Sequence, residues 1–190
     1  LADCEGVDAL EINMACPNVS GGLDFSTDPR RAATLIGTLR RVTSLPIIAK
    51  LTPNITDITE IATHVEEAGA DAISAINTIR GMAIDISTRR PKLGAIMGGL
   101  SGPAIKPVAI AAVYQVAKRV RIPVICIGGI SSAEDALEFM IAGATAVQIG
   151  TANFVEPRTG ATVVDGLAAW CTASDVPAIR EVIGRMELPS

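Results

Sequence analysis

The sequence predicts an α/β fold of one class: a partial TIM (β/α)8 barrel, about five parallel strands with helices between them. Three observations predict it. Short β-branched apolar runs alternate with helical stretches, the pattern of a parallel sheet covered on both faces. A helix stop that feeds a strand recurs, as Gly69-Ala70-Asp71 and as Gly143-Ala144-Thr145. Each strand run also ends in polar or glycine residues, at Asn13, Lys50, Asn77-Thr78, Gly128-Gly129 and Gly150-Thr151. Chemistry gathered at the carboxyl ends of parallel strands is the barrel arrangement.

The elements follow in order. Residues 2–7 read as the tail of a helix, and Leu10 to Asn13 as the first strand. Pro29 to Val42 is a helix, with Asp28 as N-cap and proline at its first position. Pro46 to Leu51 is the second strand. Asp57 to Ala68 is a helix stopped by Gly69, and Asp71 to Ile76 is the third strand. Ala104 to Val120 is a long helix with Ile105, Val108, Ala109, Ala112, Val113 and Val116 along one face. Pro123 to Ile127 and Thr145 to Ile149 are the fourth and fifth strands, separated by a helix over Ser132 to Ala142. Helical stretches near Val163–Cys171 and Pro177–Met186 complete the chain.

One segment breaks this rhythm. Residues 79–100 are too long for a βα loop, which usually has about 2–6 residues. Ala83–Ile86 and Lys92–Ile96 are expected to pair as a small hairpin, and the segment to act as an insertion or lid within a single domain spanning residues 1–190. A full barrel has eight strands in about 250 residues. Five strands in 190 residues, beginning with Leu1, therefore suggest the carboxyl-terminal part of a larger barrel, with amino-terminal strands missing and two open sheet edges. An isolated chain of that kind is expected to aggregate, self-associate or remain partly molten, to bind any cofactor weakly or not at all, and to have doubtful activity of its own.

Composition narrows the function classes. Hydrophobic residues make up 49% and aromatic residues only 3%, so aliphatic side chains fill the core. A net charge of -4 argues against a nucleic-acid groove, which needs a basic stripe. The apolar runs are too short for a transmembrane helix. The four cysteines, at 4, 16, 126 and 171, form no CxxC pair, so no metal site is read, and scattered thiols suit a cytoplasmic protein. Cys4, Cys126 and Cys171 read as small packing hydrophobes.

Cys16 differs because it sits in the polar loop Asn13-Met14-Ala15-Cys16-Pro17-Asn18. A thiol there can take a proton, and the carboxamides can grip a flat polar ring. Lys50 ends an apolar strand, and a lysine pointing into a barrel needs an anionic or polar partner unless it snorkels to solvent. Asn13 and Asn77 read either as turn residues or as partners for alternating carbonyl and N–H groups. Gly128-Gly129 and Gly150-Thr151 would let backbone N–H groups approach phosphate oxygens. His64, mid-helix, and the run Arg89, Arg90 and Lys92 read as solvated surface.

Together the motifs resemble the dihydroorotate dehydrogenase family, and its class 1B catalytic subunits in particular. The residues that carry the likeness are Asn13 to Val19, Lys50 to Asn54, Ile76-Asn77-Thr78, Gly98 to Pro103, Gly128-Gly129-Ile130 and Gly150 to Phe154. Gly81 to Asp85 and Thr88 to Pro91 look like class 1B. The resemblance implies FMN as cofactor and oxidation of (S)-dihydroorotate to orotate in pyrimidine biosynthesis. It implies Cys16 as the catalytic base. Asn13, Lys50, Ile76, Gly102, Gly128, Gly129, Gly150 and Thr151 would contact the cofactor, and Asn13, Asn77 and Thr78 the substrate. It further implies a homodimer and a second subunit carrying FAD and a [2Fe-2S] cluster, which passes electrons to NAD. Ala15 stands where the family usually has serine, and Ser26 where glycine is common. Two alternatives remain at this level: a related pyrimidine-reducing flavoenzyme, which usually has histidine at the position of Asn18, and a catalytically inert barrel fragment.

Overall fold

The structure is a computed structural model that describes residues 4–14 and 24–189. Five strands form one parallel sheet: β1 (Leu10–Asn13), β2 (Ile47–Leu51), β3 (Ala72–Ala75), β8 (Val124–Ile127) and β9 (Ala146–Gln148), in that spatial order. Between β3 and β8 come four short strands: β4 (Ile79–Gly81), β5 (Ile84–Asp85), β6 (Arg90–Pro91) and β7 (Gly98–Leu100). The helices are α1 (Asp24–Thr27), α2 (Pro29–Arg40), α3 (Ile58–Glu67), α4 (Lys106–Ala117), α5 (Ala133–Ala142), α6 (Ala152–Val155) and α7 (Thr159–Ala173). The sheet and its helices form a sector of a (β/α) barrel.

The Asp28 cap and the Gly143 stop are as the sequence predicts, whereas Asp57 and Ser132, expected as first helical residues, are themselves caps. Asp28 accepts from the backbone N–H groups of Arg30 and Arg31. Asp57 accepts from the N–H of Thr59. Ser132 and Asp135 form a reciprocal capping box at the start of α5, and Gly143, at φ 125°, ends it.

Alternate residues of each strand point to opposite sides of the sheet. On the helix side lie Ile47, Ala49, Leu51, Ile73, Ala75, Val124 and Cys126, each at most 3% exposed. Packed against them from α2 to α5 are Ile36, Ile61, Val65, Ala109, Val113, Val116 and Phe139. This is the core. Burial there also pushes the Cys126 thiol up, so it is inert packing.

The opposite side carries Glu11, Asn13, Lys50, Ser74 and Gln148. Its geometry reveals how the sheet bends. Strands β1 and β9 are four strand spacings apart, roughly 19 Å in a flat sheet. Yet Gln148 Nε2 donates to Glu11 Oε2 at 2.7 Å. Two such side chains can meet only if the sheet curls until its outer strands face each other across a concave interior.

Several expectations are corrected. Residues 4–9 contain a turn rather than a helix tail, and Gly6 takes φ 82° there. Cys4 is exposed, because that turn lies outside the packed layers. Val108 is 47% exposed: it falls about 90° from the mean direction of the α4 residues that are buried. The first turn of that helix is a 3-10 turn, Pro103–Ile105. In the long segment the partner of β5 is β6, two residues earlier than expected, while β4 pairs with β7 to make a second antiparallel ladder. Asp85 tightens the turn by accepting from Ser87 and Thr88, and Arg89 at φ 56° closes it. The last helical stretch shrinks to a 3-10 turn, Ile179–Val182, cut short by Pro177 and by Gly184 at φ 69°. By contrast α7 extends four residues upstream of Val163. Among the described residues no helix is long and apolar enough to cross a membrane.

Candidate active site

A cavity of about 270 Å³ opens at the carboxyl ends of the strands. Lys50, from β2, lies on one side of it. Beside it stand Ile76, Asn77 and Thr78, which follow β3. The segment is held from both sides, since Ile76 N–H donates to Ile127 O at 2.9 Å and Asn77 N–H to Leu51 O at 2.8 Å. Gly102, Gly128, Gly150 and Thr151 close the other side. Eight of the predicted cofactor and substrate residues therefore surround one space. They come from four strand ends and the loop after β7, separated by up to 101 positions in the chain (151 − 50).

Two of the described predicted residues, Asn13 and Gly129, do not line this cavity. Asn13 stands at its edge, where its Oδ1 accepts from Asn77 Nδ2 at 3.0 Å. Gly129 lies behind the wall. It adopts φ 82°, and a Cβ there would sit 2.8 Å from Gly102 O and 3.0 Å from the Lys106 backbone nitrogen. Its part is to let the 128–129 turn pack under the start of α4. Cys16, with its neighbours Asn18 and Val19, lies outside the described residues.

Sequence reasoning missed other members. Ser101, Ile105, Ile127 and Phe154 also line the cavity. Thr151 Oγ1 donates to Ser101 Oγ at 2.8 Å, linking the loop after β9 to the loop after β7. Asn54 clamps Thr78 from behind: its Nδ2 donates to Thr78 O at 2.9 Å, and its Oδ1 accepts from Arg80 N–H at 2.9 Å. A Cβ at Gly99 would overlap the Thr78 hydroxyl, so β7 can pass this close only as glycine.

The missing partner of Lys50 is Glu11. Lys50 Nζ meets Glu11 Oε1 at 2.9 Å, and the two side chains are 14% and 29% exposed. Burial alone would push the Glu11 carboxyl up. Hydrogen bonds from Gln148 and Lys50, the Lys50 charge and the nearby Ser74 hydroxyl outweigh burial and hold it below the ordinary glutamate value. The Ser74 Oγ is fully buried and makes no full hydrogen bond of its own. A signal for this group was present in the sequence. Glu11 and Gln148 each interrupt an apolar strand run, Leu10-Glu11-Ile12 and Val147-Gln148-Ile149.

Behind the cavity, Lys106 Nζ bridges Asp135 and Glu138 at 2.7 Å each, and those bonds push it above the ordinary lysine value. This cluster ties α4 to α5 and does not face the cavity. His64 is spent on its own helix, with Nδ1 at 2.8 Å from Glu60 O. Arg89, Arg90 and Lys92 are exposed. Among the described residues no group of acidic, histidine or cysteine side chains could hold a metal ion.

Fold and site together define a (β/α)-barrel protein with a polar and glycine-lined pocket at the carboxyl rim. The family model described as dihydroorotate dehydrogenase matches residues 3–170, and the chain belongs to that family. Among curated proteins it is 52% identical over 183 residues to the dihydroorotate dehydrogenase B (NAD(+)) catalytic subunit of Geotalea daltonii, covering 96% of this chain and 60% of that protein. It is 54% identical over 182 residues to the protein of the same name from Trichlorobacter lovleyi, covering 95% and 60%. The chain thus spans about 60% of the length of the curated relatives it matches. In fold it is similar to the dihydroorotate dehydrogenase of Eimeria tenella, solved in complex with ferulenol, with a TM-score of 0.77 at 24% identity over 94% of this chain and 54% of that one.

Proposed function

We propose that this chain supplies the FMN pocket and the catalytic base of an NAD-linked dihydroorotate dehydrogenase, which oxidises (S)-dihydroorotate to orotate. The gathering of Lys50, Asn77, Thr78, Gly102, Gly128, Gly150 and Thr151 around one cavity carries this reading. The names and the 52% and 54% identity of the two bacterial relatives support it.

The donor set suits a flavin nucleotide. Ile76, Ile105 and Ile127 offer an apolar wall to a flat ring system. Lys50 offers a cation to its pyrimidine edge. Gly128, Gly150 and Thr151 leave backbone groups and a hydroxyl open to phosphate, at the barrel loops that commonly bind it. When bound, FMN supplies the two-electron acceptor for hydride from C6 of the substrate. The chain's own residues do the rest. Asn77 and Asn13, already joined at 3.0 Å, present amide donors and acceptors to the substrate's alternating carbonyl and N–H groups. Thr78, clamped by Asn54, adds a hydroxyl. Cys16, as thiolate, takes the proton from C5, so that proton and hydride leave adjacent carbons and the C5–C6 double bond forms. The Lys50 ammonium opposes the negative charge that develops at the flavin.

The same reading makes residues 1–190 one domain, with the β4–β7 segment as an insertion or lid. It places the protein in the cytoplasm as a homodimer, with electrons leaving through a subunit that carries FAD and a [2Fe-2S] cluster and reaching NAD.

Flavin titration tests the pocket, and anaerobic bleaching of the bound flavin by dihydroorotate tests the chemistry. In protein expressed from the full reading frame, Cys16→Ala should slow flavin reduction by about 10²–10⁴-fold, the usual worth of a positioned base. Cys16→Ser should be slow near neutrality and recover in part at high pH, because a hydroxyl is the poorer proton acceptor. Reduction of Cys16→Ala at the parent rate would remove the thiol from the mechanism.

A further inference from the structure

Lys50 carries a compact charge on a flexible four-carbon stem, so an untethered Lys50 would sample many positions around the cavity. Something must hold it. The acceptor within reach is Glu11, at 2.9 Å, from the neighbouring strand β1. Glu11 is not a loose partner, because its second oxygen accepts from Gln148 Nε2 at 2.7 Å. The carboxylate is thus pinned from β9 while it holds the ammonium from β2. Packing does not explain the arrangement. A partly exposed ion pair such as this contributes little to stability, because water screens its attraction and holding two long side chains in one geometry costs entropy. The sheet's other face, built from the same strands, is packed with aliphatic residues and Cys126 and holds no charge.

We propose that Glu11 is a positioning residue: its carboxylate, pinned by Gln148, fixes the Lys50 ammonium at the wall of the pocket and so sets how that cation meets a bound flavin. The role rests on the flavin reading above. It assigns Glu11 no contact with substrate or cofactor, and it makes Gln148 the residue that orients Glu11.

Two measurements on protein from the full reading frame decide this. The first needs no flavin. Acylation of Lys50 by acetic anhydride, followed by peptide mass spectrometry, reads how free the ammonium is. Glu11→Ala should acylate several-fold faster than the parent. Glu11→Gln should stay nearer the parent, since its carboxamide oxygen can accept from Lys50 while the Gln148 carboxamide turns over to accept from it. Equal labelling of parent and Glu11→Ala overturns the tie.

The second uses FMN-loaded protein. Glu11→Ala should slow flavin reduction at saturating dihydroorotate roughly tenfold, the scale of a small misplacement near the chemistry, and leave FMN affinity within about threefold. Glu11→Gln should recover most of that rate. In a Lys50→Ala background, Glu11→Ala should add no further loss, because Glu11 acts through Lys50. Additive losses overturn the inference. If Glu11→Ala fails to fold, Glu11→Asp replaces it: one methylene shorter, it cannot hold both partners, and reduction at the parent rate overturns the role. A parent that binds no FMN overturns the proposed function, and the positioning role with it. A parent that binds FMN but is not reduced by dihydroorotate overturns only the substrate reading, and Lys50 labelling then decides the tie.

Discussion

Ile73 and Ser74 are adjacent on β3, and both are completely buried, yet they belong to different molecules in a physical sense. Ile73 faces the helices and packs among Ile47, Ala49, Val124 and their neighbours. Ser74 faces the concave side, where Glu11, Lys50 and Gln148 form a polar layer. One face holds the fold together and carries no chemistry. The other holds charge at a pocket and contributes little packing. Period-two alternation lets one set of strands serve both purposes, and it places the reactive groups within a few ångströms of the core that keeps them still.

Cutting at the two faces should therefore give different kinds of damage. The largest expected effect on stability is from the helix side. Ile73→Ala leaves a cavity in a close-packed layer and should destabilise the protein by about 2–5 kcal/mol in denaturant unfolding. Flavin reduction per folded molecule should be nearly unchanged. A rate loss that tracks the stability loss would show that the two faces are not separable.

Lys50→Ala should do the reverse. Flavin bleaching at saturating dihydroorotate should slow about 10²-fold, equivalent to about 2.7 kcal/mol, while FMN affinity changes far less. Stopped-flow traces with a separate flavin titration make the check. An unchanged rate would reduce Lys50 to a structural lysine.

Acid sharpens the comparison further. The folded Glu11 carboxyl titrates below its unfolded value, so its contribution is complete above the ordinary glutamate pKa and is lost as pH falls through the lower folded value. Between about pH 5 and pH 3 the parent should lose more thermal stability than Glu11→Gln, which has no carboxyl to protonate there. Parallel melting curves across that range would mean that the inner layer is not coupled to folding. The smallest effect belongs to Ser74→Ala. Its hydroxyl makes no full hydrogen bond, so removing it should change stability by less than about 0.5 kcal/mol or raise it slightly. A loss near that of Ile73→Ala would show an unrecognised partner.

The caps and strand runs were legible because their signals are local. Asp28 before Pro29 satisfies orphan backbone donors within one turn, and Gly69 and Gly143 end their helices just past the last turn. The Asp57 cap and the Ser132–Asp135 box have equally local signals, although those residues are expected inside their helices from the sequence. The residues that end each strand were legible for a related reason: a polar or glycine residue closing an apolar run is visible without knowing its neighbours. That is how Lys50, Asn77, Gly128, Gly150 and Thr151 were found. The long segment was harder. Which pairs of its short strands meet depends on Asp85 and Arg89 at the turn and on Gly99 passing Thr78, and several registers fit its pattern equally well.

The alternation of strands and helices, the helix caps and the residue types at the strand ends were thus set by the sequence alone, because each depends on contacts a few positions apart. Only the tertiary structure decided that Gly129 lies behind the wall, that Asn13 joins Asn77, and that Glu11 meets both Lys50 and Gln148. Glu11 and Gln148 are 137 positions apart. They meet because the curvature accumulated over five twisted strands brings the outer pair together, and that curvature is a property of the packed sheet, absent from any single segment of it.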